Sequence, residues 1–198
     1  MACQSCLKSY AGALVPVDQE GNCIECGDPV VAYYLDDQVD LSIVRWDKYF
    51  HTICDAVATK SPCLSRQIGV VLVRDKSIIS TGYNGPARGF PHCEGTICPR
   101  KVAGYKSGEG LELCPAAHAE TNAIANAARI GTSVSGSTLY MNSVIPCKFC
   151  AVSIVNAGIS EVVVEELTAY HEISIKIFKS GGVELRSFDI QTNFGGKR

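Results

Sequence analysis

No long apolar run occurs in the 198 residues, and nothing in them approaches the roughly 20 consecutive apolar residues of a membrane-spanning helix. An excess of charge of one sign is also missing. Eighteen Lys and Arg oppose twenty Asp and Glu, a net charge of −2, so the chain shows no basic footprint for nucleic acid. The opening Met1-Ala2-Cys3-Gln4-Ser5-Cys6 lacks the charged start and apolar block of an export signal. These absences lead to the expectation of a cytoplasmic protein with no membrane partner. Cysteine, in contrast, is abundant, with eleven residues. In an exported chain they would suggest disulfides; here metal binding is the better reading, and an odd number excludes complete pairing. Hydrophobic residues at 46% supply enough apolar material for one medium domain, or for a domain with a small appendage.

Two short segments carry the chemistry: His118-Ala119-Glu120 and Pro146-Cys147-Lys148-Phe149-Cys150. One imidazole and two thiolates, from His118, Cys147 and Cys150, fill three corners of a tetrahedral Zn²⁺ site and leave the fourth for water, the arrangement of a catalytic zinc. Glu120 is then free to move protons, work that contributes typically about 10²–10⁴-fold to a rate. Placed at helix starts, the two cysteines feel free N–H groups and a partial positive charge that favour thiolate over thiol. A second pattern, Cys3-x-x-Cys6 and Cys23-x-x-Cys26, is separated by sixteen residues rich in turn formers, which reads as a four-cysteine zinc ribbon that needs its metal to fold. The expected division is a ribbon over residues 1–30 and a catalytic domain over 31–198.

Apolar positions Leu41, Val44, Tyr49, Ile53 and Val57 predict an amphipathic helix from Leu41 to about Thr59, ended by Ser61-Pro62. Ile68–Val73 and Ser77–Tyr83 read as a hairpin around the polar Arg74-Asp75-Lys76. Tyr83-Asn84-Gly85-Pro86 breaks regular structure, and a long irregular stretch to about Leu113 follows, of the kind that is functional or tied down by something other than a core. Helices are then expected over Ala116–Ile130, Cys147–Asn156 and Thr168–Lys179. They alternate with strands over Thr138–Met141, Glu161–Val164 and Val183–Arg186. Alternation of this kind implies an α/β sheet covered on both faces.

Beyond these readings, the chain resembles the deoxycytidylate deaminase branch of the zinc cytidine deaminase superfamily. The likeness runs from about Cys63 to Val164. It rests on Cys63-Leu64-Ser65-Arg66-Gln67-Ile68-Gly69, Ser80-Thr81-Gly82-Tyr83-Asn84-Gly85-Pro86, Gly89-Phe90-Pro91-His92-Cys93, His118-Ala119-Glu120-Thr121-Asn122-Ala123-Ile124, Gly136-Ser137-Thr138-Leu139-Tyr140 and the Pro146–Cys150 segment; His-x-Glu with Pro-Cys-x-x-Cys is the signature of zinc nucleobase deaminases. The resemblance implies hydrolysis of dCMP to dUMP with release of ammonia, a cytidine-deaminase-like α/β/α sandwich with a mixed five-stranded sheet, a homo-oligomer, and regulation by dCTP and dTTP. It further implies that Asn84 and Ala119 line the nucleotide site and that Arg129 lies near the phosphate or the regulatory nucleotide. Two departures stand out: Tyr140–Pro146 is one residue longer than the family norm, and Tyr170 is the one tyrosine soon after the strand ending at Val164.

The same resemblance implies a second structural zinc on Cys63, Cys93, Cys98 and Cys114, with His92 an alternative ligand, so that three zincs are expected in all. Cys54, at helical spacing, reads as a core residue, and His51 and His171 as surface or core-edge side chains. Two other readings stand beside the mononucleotide enzyme. One is a deaminase of single-stranded nucleic acid or tRNA that uses the ribbon as a clamp, against which the missing basic excess argues. The other is a non-catalytic scaffold, against which the intact Glu120 argues.

Overall fold

The structure, a computed structural model, describes residue 18 and residues 41–93, 98–106 and 108–188. The chain divides into two compact units, Met1–Leu41 and Ser42–Arg198. The four cysteines of the expected ribbon, Cys3, Cys6, Cys23 and Cys26, lie outside the described residues.

Helix α1 spans Leu41–Ala58. Its buried stripe is Phe50, Cys54 and Ala58, flanked by Trp46, Ile53 and Val57, a recurrence at three and four residues. Tyr49, expected on that stripe, stands half exposed, with its ring edge-on to Trp46. Strands β1 (Gly69–Arg74) and β2 (Ser77–Tyr83) form the expected hairpin. Asp75 and Lys76 turn it with φ of 51° and 60°, the conformation that matches the right-handed twist of paired strands. Two-residue strands β3 (Gly85–Pro86) and β4 (Ala116–Ala117) pair antiparallel. Between them lie the one-turn α2 (Pro99–Val102) and a 3₁₀ turn at Leu111–Leu113. There follow α3 (Ala119–Arg129), β5 (Thr138–Ile145), α4 (Lys148–Asn156), β6 (Glu161–Ala169), α5 (Glu172–Ser180) and β7 (Glu184–Ser187).

The five-stranded sheet has the order β2-β1-β5-β6-β7. β1 runs antiparallel to both β2 and β5, whereas β5, β6 and β7 are parallel and joined through α4 and α5. This is the mixed sheet of the cytidine-deaminase-like fold. Alternation along β1 sends Val70 and Leu72 to one face, with Ala119, Ala123, Ala127, Ala151, Ile154 and Phe178. Val71 and Val73 go to the other face, against Phe50 and Cys54 of α1. Helices α3, α4 and α5 thus share one face and α1 covers the opposite one.

Three boundaries differ from expectation. Ala116 and Ala117 are strand and not helix, because they pair with Pro86 and Gly85. The segment Glu165–Ala169 continues β6, and the helix expected from Thr168 begins at Glu172. Strand β5 runs on to Ile145 through two register shifts: Met141 to Val144 advances three residues while the partners Val164 to Glu166 advance two, and Val144 to Ile145 advances one while Glu166 to Ala169 advances three. The first of these shifts is a bulge in β5. Within it, Asn142 Oδ1 accepts from Gly69 N at 2.8 Å and Nδ2 donates to Asp55 Oδ1 at 2.9 Å.

Candidate metal centre and active site

His118 and Cys147 occupy the residues immediately before α3 and α4, with extended backbone (φ/ψ −72°/155° and −64°/164°) and no side-chain cap on either helix. Each side chain is thus released from capping and projects beside a helix N-terminus. Main-chain bonds start both helices: Asn122 N donates to His118 O at 3.0 Å and Ala151 N to Cys147 O at 2.8 Å. Two helix starts point into one site, adding partial positive charge where anionic sulfur sits.

Sequence separation is erased by the fold. Cys147 Sγ and Cys150 Sγ lie 3.5 and 3.3 Å from His118 Nδ1, and the three ligand atoms lie within 4.8 Å of one another. Donors about 2.1 and 2.3 Å from one tetrahedral zinc stand about 3.6 Å apart, so the donor set and its spacing fit that ion. His118 is exposed, Cys147 half-buried and Cys150 buried; the centre opens to solvent on the imidazole side. Hydrogen bonds from Cys150 and from His118 hold the Cys147 thiol down at about 3. Cys150, sharing a proton with that thiolate, is pushed up, and the Cys147 contact raises His118. Thr121 Oγ1 adds a contact to Cys150 Sγ at 3.7 Å.

Glu120 is 4% exposed. Burial pushes its carboxyl above the usual carboxylate range, against the opposing pull of a backbone hydrogen bond and of His118. A buried carboxyl with a raised pKa beside these three candidate ligands is placed to accept and return protons.

The remaining predicted site residues fall into distinct places. Asn84 is committed to the protein. Its Oδ1 accepts from Ile68 N and from Ser61 Oγ, each at 2.8 Å, and its Nδ2 donates to Arg66 O at 2.8 Å. Ala119 is fully buried, its carbonyl against Gly82. Arg129 stands exposed in the last turn of α3, about 16 Å along the helix from its start, so within one chain the fold does not bring it to His118.

Cys63, Cys93 and Cys114 are half-buried and Cys98 buried. After burial itself, the charges of Cys98, Cys114 and Cys63 raise the Cys93 thiol, and Cys93 and Cys98 share a hydrogen bond. Among the described residues, the one His/Cys group with metal-ligand spacing is His118, Cys147 and Cys150, so the structure does not gather Cys63, Cys93, Cys98 and Cys114 at that spacing, and His92 is exposed. Cys54 is a core residue, its thiol pushed up by burial. His51 sits at the core edge, 3.5 Å from Asp55 and 3.8 Å from Glu165.

Sequence reasoning missed a contact at the rim. Arg66 donates to the Tyr170 hydroxyl, with its guanidinium carbon 6.0 Å from the ring centroid. Ile145 pairs with Ala169, so Tyr170 leaves the sheet beside Pro146, one residue before Cys147. The signal was the length of the apolar run into Ile145, which calls for an equally long parallel partner.

Three comparisons bear on this geometry. The family model of the cytidine and deoxycytidylate deaminase zinc-binding region matches residues 44–166. Deoxycytidylate deaminase of Saccharomyces cerevisiae is 38% identical over 143 residues, covering 72% of this chain and 45% of that protein. The chain thus spans under half the length of that relative. Deoxycytidylate deaminase of Mycobacterium phage D29 is 37% identical over 123 residues, 60% of this chain and 92% of the phage protein. The crystal structure of dCMP deaminase from the cyanophage S-TIM5 in complex with dCMP and dUMP is 25% identical with a TM-score of 0.59, covering 72% of this chain and 96% of that one. A matched segment that begins in α1, ends in β6 and contains the whole triad leaves one conclusion: the chain belongs to the cytidine and deoxycytidylate deaminase zinc-binding family.

Proposed function

We propose that this protein hydrolyses dCMP to dUMP and ammonia, the C4–N bond of cytosine breaking as a C4–O bond to water forms. The observation that carries this reading is the triad His118, Cys147 and Cys150 with a buried carboxyl, Glu120, two residues beyond the imidazole. His118, Cys147 and Cys150 would hold zinc, which supplies Lewis acidity and lets a water ionise near neutral pH. Glu120 takes the proton of the attacking water, passes it to the ring nitrogen, and gives a proton to the amine that departs as ammonia. Burial raises the proton affinity of Glu120 above that of an ordinary carboxylate, which favours uptake of the water's proton. The Arg66 guanidinium, held on Tyr170 beside the exit of β5, matches a dianionic phosphate. The relatives named deoxycytidylate deaminase support the same substrate.

The reading extends to the rest of the chain. Asn84, Ala119 and Arg129 would contribute to nucleotide binding, Arg129 in an assembly of copies. Two structural zincs would accompany the catalytic one, on Cys63, Cys93, Cys98 and Cys114 and on the ribbon of residues 1–30. The enzyme would be cytoplasmic and homo-oligomeric, with dCTP and dTTP as regulators. Among the described residues no helix is long and apolar enough to cross a membrane.

Ammonia release measured across dCMP, CMP, deoxycytidine, dCTP and a cytosine-containing oligonucleotide tests the activity. dCMP should be turned over with the highest kcat/KM; release from the oligonucleotide alone, or from none of the five, overturns the proposal. Metal analysis of the full chain should give three zincs.

A further inference from the structure

We propose that Asn122 is a positioning residue for His118, one half of a two-point clamp that the Tyr83–Pro86 bend closes on the metal-binding segment. The inference rests on the reading of His118, Cys147 and Cys150 as metal ligands. Ahead of His118, Gly85 pairs with Ala117 and Pro86 with Ala116. Behind it, the Asn122 side chain reaches the same bend, Nδ2 donating to Tyr83 O at 2.8 Å and lying 3.5 Å from Gly85 O. The Asn122 main-chain N–H meanwhile holds His118 O at 3.0 Å. One residue therefore ties the His118 carbonyl to the bend.

The bend is braced from its other side. Asn84, between the two carbonyls that Asn122 holds, is bound to Ser61, Arg66 and Ile68. Gly82 next to it leaves no room to slide: a Cβ there would lie 2.3 Å from Ala123 N and 2.4 Å from Ala119 O. Asparagine is a poor choice in a helix by propensity. Its side-chain donor explains its presence in the first turn of α3. Outer groups that orient a metal ligand typically matter about 10–100-fold in metal affinity or activity.

The test uses the full-length zinc protein and compares Asn122→Ala and Asn122→Asp with Asn126→Ala. The Asn126 change removes a similar tie, from Nδ2 to Thr81 O at 2.9 Å, on the same helix but away from the bend. Zinc release to a chromophoric chelator, the absorption bands of the Co²⁺-substituted protein, and kcat and KM for dCMP are the readouts. Asn122→Asp turns a carboxylate oxygen towards two carbonyl oxygens, although the helix dipole favours an acid near that end. Release should accelerate about 10-fold in Asn122→Ala and more in Asn122→Asp. The cobalt bands should shift, and kcat should fall more than KM rises, with release and cobalt bands unchanged in Asn126→Ala. Asn122→Ser, which keeps a donor, takes the place of Asn122→Ala if the latter does not fold, and should fall between it and the parent. Unchanged release and cobalt spectra in the Asn122 variants would overturn the clamp even if their Tm fell, as would equal acceleration in Asn126→Ala. A parent protein that holds no metal at these three residues would overturn the underlying reading instead.

Discussion

On the face of the sheet covered by α3, the helix comes in close, whereas on the face covered by α1 bulk fills the gap. At the first, alanines 119, 123 and 127 are fully buried against β1 and β2, and Ser80 Oγ, Asn122 Nδ2 and Asn126 Nδ2 tie the helix to main-chain carbonyls. At the second, Phe50 stacks between Trp46 and Tyr140. There Arg186 binds both carboxylate oxygens of the buried Asp47, at 2.6 and 3.0 Å, and Glu161 at 2.7 Å. Small residues and main-chain bonds leave no soft layer between helix and strand, so they set position finely; aromatic rings bury more apolar area per residue and contribute stability. The candidate ligand His118 and the carboxyl of Glu120 both belong to the close-packed face.

The largest separation of the two faces comes from Glu120→Gln, which should lower kcat by about 10²–10⁴-fold while zinc content and Tm stay near those of the parent. On the other face, Phe50→Ala should cost about 3–5 kcal/mol of stability in urea titration, with kcat of the protein that remains folded unchanged. Arg186→Met removes the hydrogen bonds to Asp47 and Glu161 and should cost about 1.5–3 kcal/mol, again without a change in kcat. The sharpest comparison has the smallest energy. A Cβ on Gly69 would meet Cys54 O at 2.0 Å, and one on Gly82 would meet Ala123 N at 2.3 Å. Each Gly→Ala change should cost about 1–3 kcal/mol through overpacking. Only the Gly82 variant should lose activity beyond its loss of folded protein; equal losses from both would erase the distinction between the faces.

Much of the site was legible because its chemistry is local. His-x-Glu and Pro-Cys-x-x-Cys each lie within five residues, and the helix and strand periods around them place both at helix starts. What escaped the sequence is long-range. The side-chain bonds of Asn84 to residues 61, 66 and 68 are not visible in the sequence. The strand character of Ala116-Ala117 overrides alanine's helical preference because Gly85-Pro86 lies alongside. The stripe of α1 passes through Phe50 and not Tyr49, a one-residue rotation that apolar spacing alone does not resolve, since both side chains are aromatic.

From the sequence alone came the order of elements and the candidate donors His118, Cys147 and Cys150 with Glu120 beside them, because periodicity and ligand spacing are properties of short segments. Tertiary structure alone decided that His118 meets sulfurs 29 and 32 residues away, that Arg186 finds Asp47 across 139, and that β5 bulges between Met141 and Val144, where Asn142 holds Gly69. Those outcomes depend on strand register and on which helix closes over which face, and register is set by the packing of the whole sheet at once.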